Sequence, residues 1–214
     1  MKQGNFIVLE GVDGAGTTTH TRRLCDTLSK KIAVHETREP TAGPVGSLLR
    51  QALTGRLVVP GNFGPRAPDW TTFALMFAAD RMDHLDVEVL PLLRERINVV
   101  CDRYYHSSIA YQSLTSGVGA DSIAWIREIN RHARVPDLTL VLNVPAAVAA
   151  ERRKRRAGVE IFDDDPLQAK LCEFYAQLDK HFPAERIVHI DSNRAQDVVA
   201  ADILKHVEEQ IARA

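Results

Sequence analysis

The chain has 214 residues, of which 45% are hydrophobic and 26% are charged, and its formal net charge is −1. This length suits one α/β domain with a sizeable core. The near-zero net charge gives no positive field for nonspecific binding of nucleic acid, so we expect no nucleic-acid partner. No stretch of sequence approaches the ~20 apolar residues of a membrane span, so we expect no membrane partner either.

The amino terminus and the cysteines indicate a cytoplasmic protein. Residues 1–5 run directly into a predicted strand, which leaves no room for a signal peptide. Cys25, Cys101 and Cys172 are far apart and form no C-x-x-C pair. We therefore interpret them as buried free thiols rather than as metal or redox ligands.

Apolar runs alternate with helical patterns along the chain, which is typical of a parallel sheet with helices on both faces. The predicted strands cover residues 6–9, 32–37, 98–101, 138–143 and 187–190. The predicted helices cover about 17–30, 45–53, 69–96, 121–131, 145–156, a segment ending near 180, and 195–212. We expect Pro91 to kink or break the third helix and Asp121 to cap the fourth. Segment 55–68 holds three prolines and three glycines, so it predicts a loop. No linker or repeat interrupts the pattern, so residues 1–214 are predicted to form one domain.

Residues 11–19 (GVDGAGTTT) follow the first strand and precede the first helix. They match the phosphate-loop pattern G-x-x-x-x-G-K-[ST] except at the lysine, where Thr17 stands. In such a loop, backbone N–H groups surround phosphate oxygens at the positive end of a helix. The residues expected to bind nucleotide phosphates are Gly11, Gly14, Ala15, Gly16, Thr17, Thr18 and Thr19. The alternative is a glycine-rich turn without a ligand.

Two features of this loop need explanation. Thr17 cannot place a positive charge on the outer phosphates, so that charge comes from elsewhere or catalysis is weakened. Asp13 lies inside the loop, where a carboxylate would repel phosphate, so we expect it to meet Mg²⁺ or a sugar hydroxyl. Thr18 stands where a hydroxyl would bind Mg²⁺.

Polar motifs follow the second and third strands. Ligands of open parallel sheets bind beyond the carboxyl ends of the strands, so Arg38 of Thr37–Pro40 can reach a second phosphate. Asp102 is placed like the acid that holds Mg²⁺ through water, and Arg103 is placed to grip a phosphate. The alternatives are a surface turn for the first motif and an ion pair capping a strand end for the second.

Two further patterns predict contacts with a ligand. Phe77 and Arg81 are spaced i, i+4 on a predicted helix, so they share a face that could stack on and hydrogen-bond a flat base. The alternative is a core phenylalanine and a solvated arginine. The basic run Arg152–Arg156 is a candidate lid that brings positive charge to the phosphates, and otherwise a solvated helix face.

Taken together in this order, these segments resemble the thymidylate kinase family of phosphate-loop nucleoside monophosphate kinases. The matching stretches are 10–19, 37–40, 75–81, 102–112, 136–144 and 160–163. The resemblance implies a P-loop NTPase fold, with a five-stranded parallel sheet between two helix layers and a short lid at about 152–165. It also implies a homodimer, and transfer of the γ-phosphate of ATP to dTMP with Mg²⁺.

The resemblance also implies roles for individual residues. Those expected around the thymine and deoxyribose are Phe77, Arg81, Arg50, Ser108 and Tyr111. Arg38 and Arg103 would hold the dTMP phosphate, and Asp13 would approach the sugar 3′-hydroxyl. Thr18 and Asp102 would serve Mg²⁺. Residues expected to act in catalysis are Arg103, Asp13, Arg38, Arg152 and Arg156.

The chain departs from the family pattern at the donor phosphates. Besides Thr17, it has Gly14 where one family subtype has a basic residue, and segment 160–163 has no arginine. We expect one or more of the arginines at 152, 153, 155 and 156 to reach the β- and γ-phosphates. Two other functions stay open: a nucleotide-binding regulator with little turnover, and a kinase for another phosphate acceptor.

Overall fold

The structure is a computed structural model that describes residues 3–62, 64–155 and 161–213. Five parallel strands form one sheet in the order β2-β3-β1-β4-β5. They are β1 (Phe6–Glu10), β2 (Val34–Arg38), β3 (Asn98–Asp102), β4 (Leu138–Asn143) and β5 (Ile187–Asp191). All five strands were predicted from their apolar runs, with ends that differ by at most two residues.

The helices in chain order are α1 (Thr17–Leu28), α2 (Pro44–Leu53), α3 (Trp70–His84), α4 (Leu90–Arg94), α5 (Tyr105–Ser116), α6 (Ala120–Ile129), α7 (Ala146–Lys154), α8 (Asp165–Tyr175), α9 (Leu178–His181) and α10 (Gln196–Arg213). A π-helical turn, Leu85–Val89, joins α3 to α4. Helices α1 and α10 pack on each other and on the sheet, while α3, α5 and α8 pack together in a second layer. The α/β fold with helices on both faces is confirmed. No helix within the described ranges is long and apolar enough to cross a bilayer.

The central strands form the core and bring the chain's motifs to one edge of the sheet. Every residue of β1 and β3 is buried. Leu9 of β1 lies beside Asp102 of β3 and Leu140 of β4. The segments that follow β1 and β3 therefore emerge side by side, at the carboxyl edge where the strand order reverses.

The structure corrects several helix predictions. The helix predicted over 69–96 is interrupted at Leu85–Val89, before Pro91, which lies in the first turn of α4, where its missing N–H breaks no bond. Asp121 is not the cap of α6; Gly119 holds that position, and Asp121 lies in the first turn, beside the positive end of the helix. The helix predicted to end near 180 is divided into α8 and α9.

One helix, α5, was not predicted at all. Nearly every residue from Tyr105 to Ser113 is buried, so the segment has no polar face and no 3.6-residue alternation. Its C-cap, Gly117, has a φ of 69° in the left-handed region, where glycine ends helices readily. This helix carries three of the candidate site residues discussed below.

The cysteine prediction is confirmed for two of the three thiols. Cys25 and Cys101 are buried and free, while Cys172 is free and half-buried. Burial raises the pKa of the Cys25 thiol to about 12, with a smaller contribution from Glu36, so this thiol stays protonated at neutral pH.

Candidate active site

The loop between β1 and α1 is shaped by its glycines and packs against α7. Gly14 and Gly16 have φ values of 90° and 98°, in the left-handed region that favours glycine. A Cβ atom on Gly14 would lie 2.6 Å from the carbonyl oxygen of Ala149 in α7. The loop therefore needs glycine at this position both for its backbone conformation and for its contact with the neighbouring helix.

A cavity of 520 Å³ opens above this loop. Residues 13–19 of the loop line it, with Thr17 buried as the first residue of α1. No lysine side chain lines the part of the cavity that the described ranges form. Positive charge comes instead from five arginines, Arg38, Arg50, Arg103, Arg152 and Arg194. We call this space the phosphate cavity.

Arg152 lies where α7 meets the loop. Its Nη1 donates to the carbonyl of Gly14 at 3.3 Å and its Nη2 to the carbonyl of Ser192, beyond β5, at 3.0 Å. Its neighbours in the basic run are placed differently: Arg155 pairs with Glu151 and is 77% exposed, so it does not line the cavity. Arg156 lies outside the described residues. Of the arginines considered for the missing lysine charge, the structure brings Arg152 to the phosphate cavity.

Arg103 and Asp13 form an ion pair at the border of the cavity. Arg103 Nη2 lies 2.5 Å from Asp13 Oδ1, and Nη1 donates to the carbonyl of Gly11 at 2.9 Å. Burial alone would lower the pKa of Arg103, but Tyr111 and Asp13 raise it well above its usual value, so the guanidinium stays charged. Arg103 also has a φ of 70°, a strained backbone for a residue with a side chain and one often found at functional sites.

Thr18 and Asp102 meet beneath the phosphate cavity. The Thr18 hydroxyl donates to Asp102 Oδ2. The other carboxylate oxygen, Oδ1, is buried and has no hydrogen-bond partner within the described part of the chain. In the same ranges, no group of three or more His, Cys, Asp or Glu side chains comes together as a metal cluster. The pair thus offers one hydroxyl and one free carboxylate oxygen to a ligand in the cavity.

A second, smaller pocket of 90 Å³ lies between α3 and α5. Its lining includes four residues expected around a base and sugar, Phe77, Arg81, Ser108 and Tyr111. Asp13 and Arg103 line both this pocket and the phosphate cavity, so the two spaces meet at that ion pair. We call the smaller space the base pocket.

Arg81 is held rigidly at the end of the base pocket. The side chain is 1% exposed, its Nη atoms donate to Asn130 Oδ1 at 2.5 Å and Ser108 Oγ at 3.0 Å, and Nη2 forms an ion pair with Glu39 Oε2 at 2.8 Å. Its Nε has no hydrogen-bond partner within the described ranges. A buried N–H without a partner is costly, so this group is poised to donate to a ligand.

Of the two arginines from β2 and α2, Arg50 lies away from its expected position and Arg38 lies where it was expected. Arg50, expected near the base, lines the phosphate cavity and is not part of the base-pocket lining. Its guanidinium donates to the carbonyls of Pro40 and Thr41, so it supports the loop after β2. Arg38 is exposed and lines the phosphate cavity, as the position after β2 predicts.

Three residues of the site were not predicted from the sequence. Gln112 lines the base pocket at 1% exposure, and neither atom of its amide has a partner within the described residues. It is spaced i, i+4 from Ser108, a signal that was readable only once α5 was known to be a helix. Glu39 pairs with both Arg81 and His84. Arg194, after β5, adds a fifth arginine to the phosphate cavity, and no motif marked it.

Comparisons with known proteins agree with this geometry. A family model described as "Thymidylate kinase" matches residues 9–203. The "Probable thymidylate kinase" of Pyrococcus horikoshii is 37% identical over 209 residues, covering 95% of this chain and 97% of that one. That of Pyrobaculum calidifontis is 37% identical over 208 residues and covers 97% of each chain.

A solved structure supports the fold. The structure of thymidylate kinase from Candida albicans superposes with a TM-score of 0.78 at 24% identity, over 97% of this chain and 92% of that one. At that identity the likeness shows the fold alone, and the sequence matches show the relationship. The chain therefore belongs to the thymidylate kinase family.

Proposed function

We propose that this protein transfers the γ-phosphate of ATP to dTMP, giving dTDP, with Mg²⁺. One observation carries the proposal: a base pocket with unpartnered buried hydrogen-bonding groups joins a phosphate cavity at Asp13 and Arg103. An acceptor bound in the pocket would present its own phosphate at the border of the cavity. A donor on the phosphate loop would approach from the other side.

The base pocket fits a thymine. Phe77 supplies a flat apolar wall, and the free Arg81 N–H suits a carbonyl oxygen of the base. The Gln112 amide can both donate and accept, which suits the neighbouring N–H and carbonyl of the same ring. Tyr111, buried beside Arg103, would pack under the sugar and disfavour a 2′-hydroxyl. Arg103 and Arg38 would hold the acceptor phosphate.

The phosphate cavity fits a nucleoside triphosphate. Backbone N–H groups of residues 13–19 and the start of α1 favour phosphate oxygens. Arg152 and Arg194 add positive charge from α7 and from the loop after β5. In our proposal these arginines replace the charge of the missing lysine, with Arg152 as the principal group because it contacts the phosphate loop itself.

Thr18 and Asp102 fit a magnesium ion. Mg²⁺ prefers oxygen ligands, keeps several waters and is usually held by one or two side chains together with substrate phosphates. The unpartnered Asp102 Oδ1 and the Thr18 hydroxyl supply such a set. Bound there, the ion would neutralise charge on the transferring phosphate.

In this reaction the residues position the two substrates and neutralise negative charge, and no general base is needed. The acceptor phosphate is already an anion, and negative charge spreads over the transferring group in the transition state. Arg103, Arg38 and Arg152 stabilise that charge, while Asp13 holds Arg103 in orientation and lies near the sugar side of the junction.

The experiment is a coupled assay of ADP formation with ATP, Mg²⁺ and a panel of nucleoside monophosphates, run beside Thr17→Lys. We expect turnover by the native chain, with dTMP preferred over dUMP, dCMP and dGMP. Turnover with dTMP only in Thr17→Lys would favour the regulator. A preference for another monophosphate would favour the third alternative.

The domain organisation, the oligomeric state and the cellular location belong to the same proposal. We propose one domain with its lid near 152–165, of which residues 156–160 lie outside the described ranges. We also propose a homodimer through α2 and α3, because Leu48 and Leu75 expose apolar side chains on these neighbouring helices. Sedimentation of a species of twice the chain mass would support the dimer. The three free cysteines support a reducing, cytoplasmic location.

A further inference from the structure

Phe162, shortly before α8, forms one wall of the base pocket. The ring of Phe162 lines the pocket and packs against the rings of Phe73 and Tyr111, at centroid distances of 5.7 and 5.5 Å. The Ile161 N–H donates to the carbonyl of Leu53, at the end of α2, at 3.0 Å. This wall is therefore attached to α2 on one side and continues into α8 on the other.

Arg153 faces this wall rather than the phosphate cavity. Its side chain is 7% exposed; Nη2 pairs with Asp165 at 2.7 Å, and Nε lies 3.9 Å from Asp163. Nη1 donates to the carbonyl of Asp13 in the phosphate loop at 3.2 Å. One planar guanidinium thus joins the phosphate loop to residues 163–165, a geometry that lysine cannot reproduce. Arg153 is not among the residues that line the phosphate cavity.

Gln168 of α8 completes the connection. It is 1% exposed, and its Nε2 donates to the carbonyl of Phe162 at 2.7 Å and to Asp13 Oδ2 at 3.3 Å. Its Oε1 accepts from Arg153 Nη1 at 3.4 Å. Asp13 Oδ1 in turn holds Arg103. A continuous set of polar contacts therefore runs from the carbonyl of Phe162 through Gln168 and Asp13 to Arg103.

We propose that Arg153 and Gln168 form a brace that positions Phe162 on the base pocket and Asp13 on Arg103. The brace sets the shape of the acceptor site at both its base end and its phosphate end. Arg153 is thus a positioning residue for the acceptor, in contrast to Arg152, which serves the donor. This inference rests on the proposed assignment of the pocket to dTMP.

Steady-state kinetics of Arg153→Gln and Gln168→Leu test the brace. We expect the KM for dTMP to rise about tenfold in each, since a charge-assisted or buried contact is lost, while the KM for ATP stays the same. Arg153→Lys keeps the pairing with Asp165 and should recover part of the loss. The matched control is Arg131→Gln, which removes an exposed pair with Glu128 that lines neither the base pocket nor the phosphate cavity, and it should leave both KM values unchanged.

Hydrogen exchange gives a second readout that does not depend on turnover. Peptides covering 161–168 should exchange faster in Arg153→Gln, because residues 163–165 lose the guanidinium that holds them to the phosphate loop. Asp165→Asn removes the ion pair between Asp165 and Arg153 and changes a side chain that is 72% exposed. It therefore tests the same contact if Arg153→Gln is too unstable to study.

The outcomes separate the two proposals. A raised KM for ATP with an unchanged KM for dTMP would show that Arg153 serves the donor and would overturn the brace. Unchanged kinetics and unchanged exchange in Arg153→Gln would overturn it as well. Failure of the native chain to turn over or bind dTMP would overturn the proposed function instead, and exchange at 161–168 would still report whether the contacts act together.

Discussion

Thr17 is a neutral residue at a position where phosphate-binding loops usually carry a lysine. The buried hydroxyl cannot replace an ammonium group, yet arginines from five parts of the chain reach the same cavity: from the end of β2, from α2, from the segment after β3, from α7 and from the segment after β5. Two of them contact the phosphate loop itself, since Arg152 donates to the carbonyl of Gly14 and Arg103 to the carbonyl of Gly11. The positive charge that the loop lacks at position 17 is therefore present in the cavity, on arginines from elsewhere in the chain.

Arg152→Gln should lower kcat by about 10²–10³, the usual cost of removing a donor to developing charge in the transition state. Adding Thr17→Lys to this variant should restore part of the rate by returning a cation to the cavity. Arg155→Gln, at an exposed ion pair outside the cavity, should have no effect. Equal rates for Arg152→Gln and the native chain would contradict the assignment.

Gln112→Leu should lower kcat/KM for dTMP about tenfold or more, because a site built to hydrogen-bond its substrate loses that partner. The KM for ATP should not change, since Gln112 does not line the phosphate cavity. Gln177→Leu, at an exposed position that lines neither the base pocket nor the phosphate cavity, is the control. An unchanged kcat/KM for dTMP would remove Gln112 from the acceptor site.

At the scale of elements, the strands and the motifs that follow them could be predicted, because buried parallel strands are short apolar runs and ligands gather at their carboxyl ends. Helix α5 could not, since a helix buried on all sides has no polar face to set a period. Gln112 was missed for the same reason. Gln168 was missed, and Arg153 was expected at the donor phosphates, because the partners of both lie in separate elements, which spacing along a chain does not reveal.

The contact between the phosphate loop and α7 gives a prediction at this scale. Gly14→Ala should destabilise the fold by about 1–3 kcal/mol and weaken ATP binding, because it adds backbone strain and a clash with Ala149. Gly117→Ala shares the positive φ but has nothing within 4 Å of its added Cβ. It should cost only about 1 kcal/mol. Urea denaturation and ATP titration measure both; equal losses would argue against the contact.

At the scale of the whole molecule, the sheet order brings charged residues from five separated segments to one edge, and folding must therefore accommodate many like charges. His20 shows the consequence. It is buried at 4% exposure, and burial, with Arg23 and Arg152 nearby, lowers its pKa below the ordinary value of 6.5. Below about pH 6.5, the unfolded chain binds a proton at His20 that the folded chain does not, so stability falls as the pH falls.

His20→Gln should therefore reduce the loss of stability between about pH 7.5 and 5.5. Denaturation midpoints at the two pH values measure the slope. Ser29→Ala, at an exposed and uncharged position just after α1, should leave the slope as it is in the native chain. A slope that is the same in all three proteins would mean that His20 does not contribute to it.

The arginine-lined phosphate cavity has a consequence for chemical profiling of nucleotide-binding proteins. Acylating probes built on ATP label such sites through a lysine amine, and no lysine side chain lines this cavity within residues 3–62, 64–155 and 161–213. Guanidinium groups, which stay protonated, do not acylate at neutral pH. A survey with these reagents would leave this site unlabelled even when its nucleotide is bound, while Thr17→Lys would make the same site visible.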